Sequence, residues 1–242
     1  MKKTLAMILC LVLCAALFAG CGSTAEAPAA APAADSAADA APAEAITLKL
    51  ADNGADTMPN VIAARKFAEL ANEYTNGTVT VEVFSNGVLG DEASVADQLQ
   101  AGTLDMARIS TTGMAPSCPA LRAASMPFLF ATDQAKYDAF DGEFGQALSE
   151  AVLEDTGIVN LTYFFATARS FYTVDKPITC VADMAGLKIR SQEDPIVMAM
   201  FEALGAKATP MNYSEVYSAL ETKIVDGAEN DMTSYYTSGH HE

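Results

Sequence analysis

The sequence is poor in positive charge. It has 14 Lys and Arg residues against 31 Asp and Glu among 242 residues, a formal net charge of −17. Proteins that bind nucleic acid present a basic surface that replaces phosphate counterions, and this chain has no cluster or stripe of Lys and Arg. We therefore exclude nucleic acid as a partner.

The groups that carry most enzyme chemistry are also scarce. The two histidines, His240 and His241, stand at the end of the sequence, where we expect an exposed chain end and not a metal site. G-x-S-x-G, G-x-G-x-x-G, phosphate-loop, H-E-x-x-H and C-x-x-C motifs are all missing. No spacing or context pairs Cys118 with His241 as nucleophile and base. The sequence thus predicts no enzyme activity, no cofactor and no metal.

No apolar run is long enough to span a bilayer comfortably. After Lys2 and Lys3, the uncharged run from Leu5 to Gly20 falls short of the ~20 residues that a membrane helix needs. A basic start followed by a short apolar run is typical of a secretory signal peptide, here residues 1–20. The run ends in Leu17-Phe18-Ala19-Gly20-Cys21, which resembles a bacterial lipobox. That resemblance implies cleavage before Cys21 and lipid attachment to its thiol; plain secretion is the alternative.

Large apolar residues are missing from residues 22–45, which consist mostly of Ala, Pro and acidic residues. Such a composition cannot offset the entropy of ordering the chain. We expect residues 21–45 to be a disordered tether behind the lipidated Cys21. Of the five cysteines, only Cys118 and Cys180 then remain in the domain, residues 46–242, and whether they pair is open.

From Ile46 onward, strand-like alternation and helix-like spacing of apolar residues follow each other. The alternation predicts strands at residues 46–50, 78–84, 104–110, 158–165, 187–190 and 224–227. The helical spacing predicts helices from Pro59, from the caps Asp91 and Asp194, near 133–155, and over 214–222. This order is typical of an α/β fold with a largely parallel sheet. We expect two α/β halves with a crevice between them.

The arginines are informative because they are few. Arg190 ends a predicted strand, and ligands of open α/β sheets bind beyond the carboxyl ends of strands. The next helix begins near Pro195, and the free N–H groups of its first turn favour an anion. An arginine at that point can hold a carboxylate through two parallel hydrogen bonds, although a solvated surface arginine is an equal alternative. The position of Arg169 gives weaker support for a role in binding a ligand carboxylate.

Several motifs occur in the order found in a known family. They are Leu89–Glu92, Gly102–Asp105, Pro127–Phe130, Gly186–Arg190, Phe201–Ala206, Thr209–Met211, Ser214–Leu220 and Val225–Asn230. Over residues 46–242 the chain resembles the solute-binding subunit of tripartite ATP-independent periplasmic (TRAP) transporters, of the C4-dicarboxylate-binding type. Ala228 departs from the usual Gln, and Lys223 stands where Gly is common. The chain also stops at Glu242, short of a typical member, so we expect an incomplete domain.

The resemblance implies an α/β, two-lobed periplasmic-binding-protein fold with a ligand cleft between the lobes. Arg190 matches the arginine that clamps the ligand carboxylate, and Arg169 matches a second arginine of the site. Asn230 matches a polar contact, and Tyr213 an aromatic residue that packs on the ligand or, alternatively, belongs to the core. Three weaker candidates occupy variable pocket positions: Asn53, Glu92 and Ser110. Each of these has a plain structural alternative, as a turn residue, a solvated acid or a strand end.

The resulting expectation is an extracytoplasmic, non-catalytic protein that captures a small organic acid and delivers it to a TRAP-type permease. It would be lipid-anchored to the outer face of the bacterial cell membrane, or periplasmic. A surface receptor or adhesin that presents a ligand to a sensor protein is the alternative, and a secreted hydrolase is a weaker one. The identity of the carboxylate is open, although the neutral Ser110 suggests no demand for a ligand amine.

Overall fold

The computed structural model describes residues 44–242. The predicted signal peptide, the lipidation site Cys21 and nearly all of the tether lie outside the described residues. Within residues 44–242, no helix combines the length and the apolar character that crossing a membrane requires.

The first lobe, residues 46–157, is built on a three-stranded parallel sheet in the order β2-β1-β3. Its strands are β1 (Ile46–Asp52), β2 (Val79–Phe84) and β3 (Met106–Arg108). Helix α1 (Pro59–Tyr74) follows β1, and helix α2 (Glu92–Gln100) follows β2. As predicted, Asp91 caps α2, because its side chain accepts a hydrogen bond of 2.8 Å from the N–H of Ser94. Because the three strands are parallel, their carboxyl ends lie at the same edge of the sheet, where polar side chains are located.

The rest of the first lobe is helical. It contains α3 (Thr111–Met114), a 3₁₀ segment (Pro119–Ser125), α4 (Asp133–Asp141) and α5 (Glu143–Thr156). The single helix predicted near 133–155 is thus two helices, because Gly142 takes an extended conformation (φ −102°, ψ −155°) between them. These helices share a core of Met114, Cys118, Leu121, Leu148 and Val152.

The predicted strand at residues 158–165 is wrong. This segment forms no strand in the described structure, and the side chains of Val159 and Leu161 are 63% and 68% exposed. The apolar run has strand-like composition, but no neighbouring strand among residues 44–242 pairs with it. A strand needs a hydrogen-bonded neighbour as well as a suitable sequence.

The second lobe, residues 169–242, contains a four-stranded sheet in the order β4-β7-β5-β6. Its strands are β4 (Arg169–Thr173), β5 (Lys188–Ser191), β6 (Lys207–Pro210) and β7 (Gly227–Asp231). Strand β4 is antiparallel to β7, whereas β5 runs parallel to both of its neighbours. A Cβ on Gly227 would lie 2.3 Å from the carbonyl oxygen of Tyr172, so only glycine allows β4 and β7 to approach this closely.

The helices of the second lobe are α6 (Pro195–Ala203), α7 (Val216–Glu221) and α8 (Met232–Thr237), with 3₁₀ segments at Val181–Met184 and Tyr213–Glu215. The strand predicted at 224–227 is wrong, because strand β7 starts only at Gly227. Lys223 adopts a left-handed conformation (φ 55°), and the N–H of Ile224 closes the end of α7 on the carbonyl of Ala219. The chain is therefore still leaving a helix where a strand was expected.

The β5–α6 unit positions the central side chains of this lobe. Ile189 of β5 and Phe201 of α6 are fully buried in one hydrophobic core. Burial of each of these side chains stabilises the fold by about 1.5–3 kcal/mol. Asp194 caps α6, as predicted, through its Oδ1 atom, which accepts hydrogen bonds from Ile196 and Val197. Its second oxygen lies 3.7 Å from Nε of Arg122 in the first lobe. Asp194 thus fixes the turn that follows Arg190.

We expect Asp194→Ala to lower the free energy of unfolding by about 1–3 kcal/mol, because it removes a helix cap and leaves the Arg122 charge unpaired. Asp175→Ala is the matched control, since Asp175 forms an ion pair with Lys223 in which both side chains are more than half exposed. We expect less than about 0.5 kcal/mol for that control in urea denaturation. Equal losses for the two variants would contradict this role of Asp194.

Candidate functional site

Arg190 lies at the carboxyl end of β5 and is only 4% exposed. Its Nε and Nη2 atoms donate hydrogen bonds of 3.2 and 2.9 Å to the carbonyl oxygen of Met211. The guanidinium carbon lies 5.8 Å from the centre of the Tyr213 ring. Burial lowers the pKa of Arg190, yet an arginine in a protein keeps its charge at neutral pH. The site is therefore built around a buried cation.

Arg190 differs from the other arginines in having no carboxylate partner. The described chain has five arginines, and four of them lie within 4.0 Å of a carboxylate: Arg65, Arg108, Arg122 and Arg169. Among residues 44–242, no Asp or Glu comes within that distance of Arg190. A charge removed from water is costly unless an opposite charge accompanies it. The arrangement is suited to an anion that arrives from outside.

Arg169, at the start of β4, is occupied within the protein. It forms a bidentate ion pair with the Glu229 carboxylate, in which Nη2 lies 2.8 Å from Oε1. Nη2 also donates a hydrogen bond of 3.0 Å to the main-chain carbonyl oxygen of Glu229. Burial opposes the charge of Arg169, but the Glu229 carboxylate outweighs it and raises the pKa. Side chains alternate along a strand, so Arg169 and Glu229 leave the sheet on the face opposite to that of Arg190 and Asn230.

Asn230, on β7, is 6% exposed. Its side-chain oxygen accepts a hydrogen bond of 2.9 Å from the N–H of Asp231. By register, Asn230 is two residues along the same face from Ala228, which lies beside Arg190. Asn230 and Arg190 therefore share one face of the second sheet.

A group of aromatic side chains surrounds Arg190. The hydroxyl of Tyr213 lies 2.6 Å from that of Ser238, and the hydroxyl of Tyr172 lies 2.7 Å from Nδ1 of His240. The expectation that His240 is an exposed chain end is wrong, because its ring packs 5.8 Å from that of Tyr172 and 6.0 Å from that of Tyr213. Burial and the nearby Arg190 charge lower the pKa of His240 to about 4, and burial raises the pKa of Tyr172.

The first lobe contributes a second arginine site at the carboxyl ends of β1 and β3. Asp52 and Arg108 are directly opposite each other in the register. Nε and Nη2 of Arg108 lie 3.1 and 2.6 Å from the two oxygens of Asp52, and Nη2 also donates to the side-chain oxygen of Asn53. Asp52 is held in turn by the N–H of Gly54 at 2.7 Å and by Asn60 at 2.8 Å.

The three weaker candidates from the sequence lie together around Arg108. Asn53 contacts it directly, and Oε1 of Glu92 lies 3.7 Å from its Nη1. Glu92 also accepts hydrogen bonds from the N–H and the hydroxyl of Ser110. Asn53, Glu92 and Arg108 line a cavity of only about 10 Å³, which is about enough for one water molecule.

The two lobes meet at this point. The side-chain amide of Asn212 donates a hydrogen bond of 3.0 Å to Oδ2 of Asp91. Asn212 immediately precedes Tyr213, and Asp91 immediately precedes Glu92, so this bond brings the two sets of site residues next to each other. Burial opposes the charge of Arg108, but Asp52 and Glu92, with a smaller contribution from Tyr213, raise its pKa.

Sequence reasoning missed Arg108, Glu229, Tyr172 and the burial of His240. Arg108 ends strand β3 as Arg190 lies near the end of β5, but the strand predicted at 104–110 runs past it, so the argument used for Arg190 did not apply. Glu229 was visible only as part of a motif. Tyr172 and His240 are 68 residues apart, and no local pattern in the sequence predicts their contact.

A larger groove lies elsewhere, with a volume of about 530 Å³, between residues 140–149 and 160–163. Its lining includes Asp141 and Glu143 and no Lys or Arg, so it does not suit an anionic ligand. Cys118 and Cys180 are both free thiols. Within residues 44–242, no group of three or more His, Cys, Asp or Glu side chains is placed to hold a metal ion.

Comparison with known proteins gives consistent matches. Residues 50–242 match the family described as bacterial extracellular solute-binding protein, family 7. A solute-binding protein of Chromohalobacter salexigens is 40% identical over 184 residues, which is 76% of this chain and 54% of that relative. The chain thus spans about half the length of this curated relative.

Solved structures match the fold. A TRAP periplasmic solute-binding protein from Sulfitobacter with bound β-D-galacturonate has a TM-score of 0.78 and 37% identity, covering 81% of this chain and 65% of that chain. A TRAP protein from Sulfurospirillum deleyianum with bound succinate has a TM-score of 0.77 and 34% identity, covering 80% and 62%. The expected α/β periplasmic-binding-protein fold is confirmed.

We expect the stability of the protein to depend on pH through His240. Its pKa is about 4 in the folded state against 6.5 ordinarily, so protonation favours the unfolded state. The free energy of unfolding should therefore fall by about 1–3 kcal/mol as the pH drops from 6.5 towards 4, relative to His240→Gln. His241→Gln, at an exposed position, is the control. Parallel pH profiles for wild type and His240→Gln in chemical denaturation would contradict this expectation.

Proposed function

The chain belongs to family 7 of the bacterial extracellular solute-binding proteins, and from this premise we propose that it captures a small organic carboxylate. Bound ligand would then be delivered to a membrane permease of the TRAP type, with no bond made or broken. The observation that carries the proposal is Arg190, a buried arginine that has no carboxylate partner in the described chain. Members of this family act in the periplasm, which agrees with an exported protein.

The number of free cations favours a ligand with one carboxylate. Arg190 can hold one carboxylate, whereas Arg169 and Arg108 already hold Glu229 and Asp52. A dicarboxylate such as the succinate bound by the Sulfurospirillum protein requires a second cation. A hydroxylated acid such as the galacturonate bound by the Sulfitobacter protein requires hydrogen-bonding groups instead. We therefore propose a sugar acid or a similar hydroxylated monocarboxylate.

Each candidate residue has a distinct proposed role. Arg190 holds the carboxylate, the Tyr213 ring packs against the ligand, and Asn230 offers an amide on the same face of the sheet. Arg169 supports the site through Glu229 and does not hold the ligand directly. In the first lobe, the residues that face the ligand are those around Arg108: Asn53, Glu92 and Ser110.

Ligand entry requires the lobes to separate. The cavity beside Arg108 holds about 10 Å³, which is too small for any organic acid. The Asn212–Asp91 hydrogen bond joins the lobes, and Asp91 stands in the chain between Gly90 and Glu92, which line this cavity. We propose a hinge motion in which this bond breaks for entry and forms again when a ligand bridges the two lobes. Binding energy is then used for closure.

The N-terminal part of the proposal concerns location. We propose that residues 1–20 are a cleaved signal peptide, that Cys21 carries lipid, and that residues 21–45 tether the binding domain, residues 46–242, to the outer face of the cell membrane. The sequence Leu17-Phe18-Ala19-Gly20-Cys21 and the Ala/Pro-rich composition after it support this arrangement.

We expect Arg190→Gln to weaken the binding of D-galacturonate by about 2–5 kcal/mol, because the ligand carboxylate then lacks its buried partner. Isothermal titration calorimetry on the full chain measures this directly. Arg65→Gln is the control, since Arg65 forms an exposed ion pair with Asp56. An affinity in Arg190→Gln equal to that of wild type would remove Arg190 from the site.

Lipidation at Cys21 is tested separately. Cells that express the full chain and are fed radiolabelled palmitate should label wild type but not Cys21→Ser. Cys180→Ser, which removes an exposed thiol of the domain, should label as wild type does. Equal labelling of Cys21→Ser and wild type would rule out an anchor at this residue.

A further inference from the structure

Tyr172 lies in the same row of the second sheet as Arg190. The register pairs Tyr172 with Ala228 across β4 and β7, and it pairs Ala228 with Arg190 across β7 and β5. Directly opposed residues send their side chains to the same face of a sheet. Ala228 is the residue between them, and its methyl group leaves room above it for the two larger side chains. The ladder therefore places Tyr172 on the same face as Arg190, two strands away.

The turn that follows α8 brings His240 to the same place. Gly239 takes a left-handed conformation (φ 71°), and the N–H of His240 bonds to the carbonyl of Tyr235 at 3.0 Å. This turn directs Nδ1 of His240 to the hydroxyl of Tyr172, 2.7 Å away. The charge of Arg190 acts on both groups. Tyr172 and His240 thus form a hydrogen-bonded pair, the Tyr172–His240 pair, on the face of the sheet that carries Arg190.

This pair retains hydrogen-bonding capacity whichever group donates the shared proton. When the Tyr172 hydroxyl donates to Nδ1, the Nε2–H of His240 is a free donor and the phenol oxygen is a free acceptor. When Nδ1–H donates, the phenol is the free donor and Nε2 is the acceptor. Nε2 makes no hydrogen bond with any residue of the described range, and the His240 side chain is only partly buried. A ligand hydroxyl group, which both donates and accepts, can therefore bond at either free position.

The pair also carries no positive charge at neutral pH, because the pKa of His240 is about 4. A second carboxylate of a ligand would therefore find no cation here. A hydroxyl group could bond at one of the free positions without a change of charge.

We infer that Tyr172 and His240 recognise a ligand hydroxyl group next to the carboxylate that Arg190 holds, and so select hydroxylated acids. This inference rests on the proposed function, because it needs a carboxylate at Arg190. It assigns the pair to specificity, since a ligand without the hydroxyl still reaches Arg190.

The test compares two ligands that differ only in that group, D-gluconate and 2-deoxy-D-gluconate, by calorimetry on the full chain. Wild type should bind the deoxy acid about tenfold more weakly, the effect of one well-made hydrogen bond. In Tyr172→Phe and in His240→Phe the ratio should fall below about threefold, because gluconate loses affinity while the deoxy acid does not. The two variants change different elements of the fold, so the result does not depend on the correct folding of a single variant.

Tyr235→Phe is the matched control. The Tyr235 ring lies 4.7 Å from that of Tyr172, and no hydrogen bond of its hydroxyl occurs within residues 44–242. This variant should keep the wild-type ratio, so a general disturbance of the aromatic group is separated from loss of the pair.

A tenfold ratio that survives in both Tyr172→Phe and His240→Phe would overturn the inference, and so would binding of succinate but of neither gluconate nor its deoxy form. Both results leave the proposed capture of a carboxylate in place if Arg190→Gln still weakens binding, although binding of succinate alone would contradict the proposed hydroxylated monocarboxylate. Failure of wild type to bind D-galacturonate, succinate and gluconate alike would instead remove the proposed function, and the inference with it.

Discussion

The structure depends on one unbalanced charge. Arg190 is buried at the end of β5, and within residues 44–242 its guanidinium donates hydrogen bonds only to the uncharged carbonyl of Met211. Three features hold Arg190 in this position. They are the core formed by Ile189 and Phe201, the Asp194 cap of the following helix, and the ring of Tyr213 near the guanidinium. Keeping a cation in this state costs free energy, and the proposed anionic ligand would offset that cost.

The other arginines of the site are paired with carboxylates within the protein, and the proposed selectivity rests on this contrast. Arg169 is paired with Glu229 and Arg108 with Asp52, so neither adds a free cation. The chain as a whole carries a charge of −17, which repels anions at long range. Recognition of the proposed organic acid would therefore come from short-range contacts, with Arg190 supplying the charge and neutral side chains supplying the hydrogen bonds.

The parts of this arrangement that the sequence predicts are those set by local patterns. Alternation located β1, β2 and β5, and the caps Asp91 and Asp194 were visible as single residues before helices. Long-range pairing was not visible. Residues 158–165 have strand composition but no neighbour, and β7 starts three residues later than alternation indicates because Lys223 ends the preceding helix in a left-handed turn. For the same reason Arg190 was predicted, whereas the contact of Tyr172 with His240 was not.

The most direct test of the account is a crystal structure of the chain with D-galacturonate bound. The account predicts both carboxylate oxygens about 2.7–2.9 Å from nitrogen atoms of Arg190, with the Arg169–Glu229 and Arg108–Asp52 pairs intact. A carboxylate bound instead to Arg169 or Arg108, with Arg190 still turned only to Met211, would contradict it.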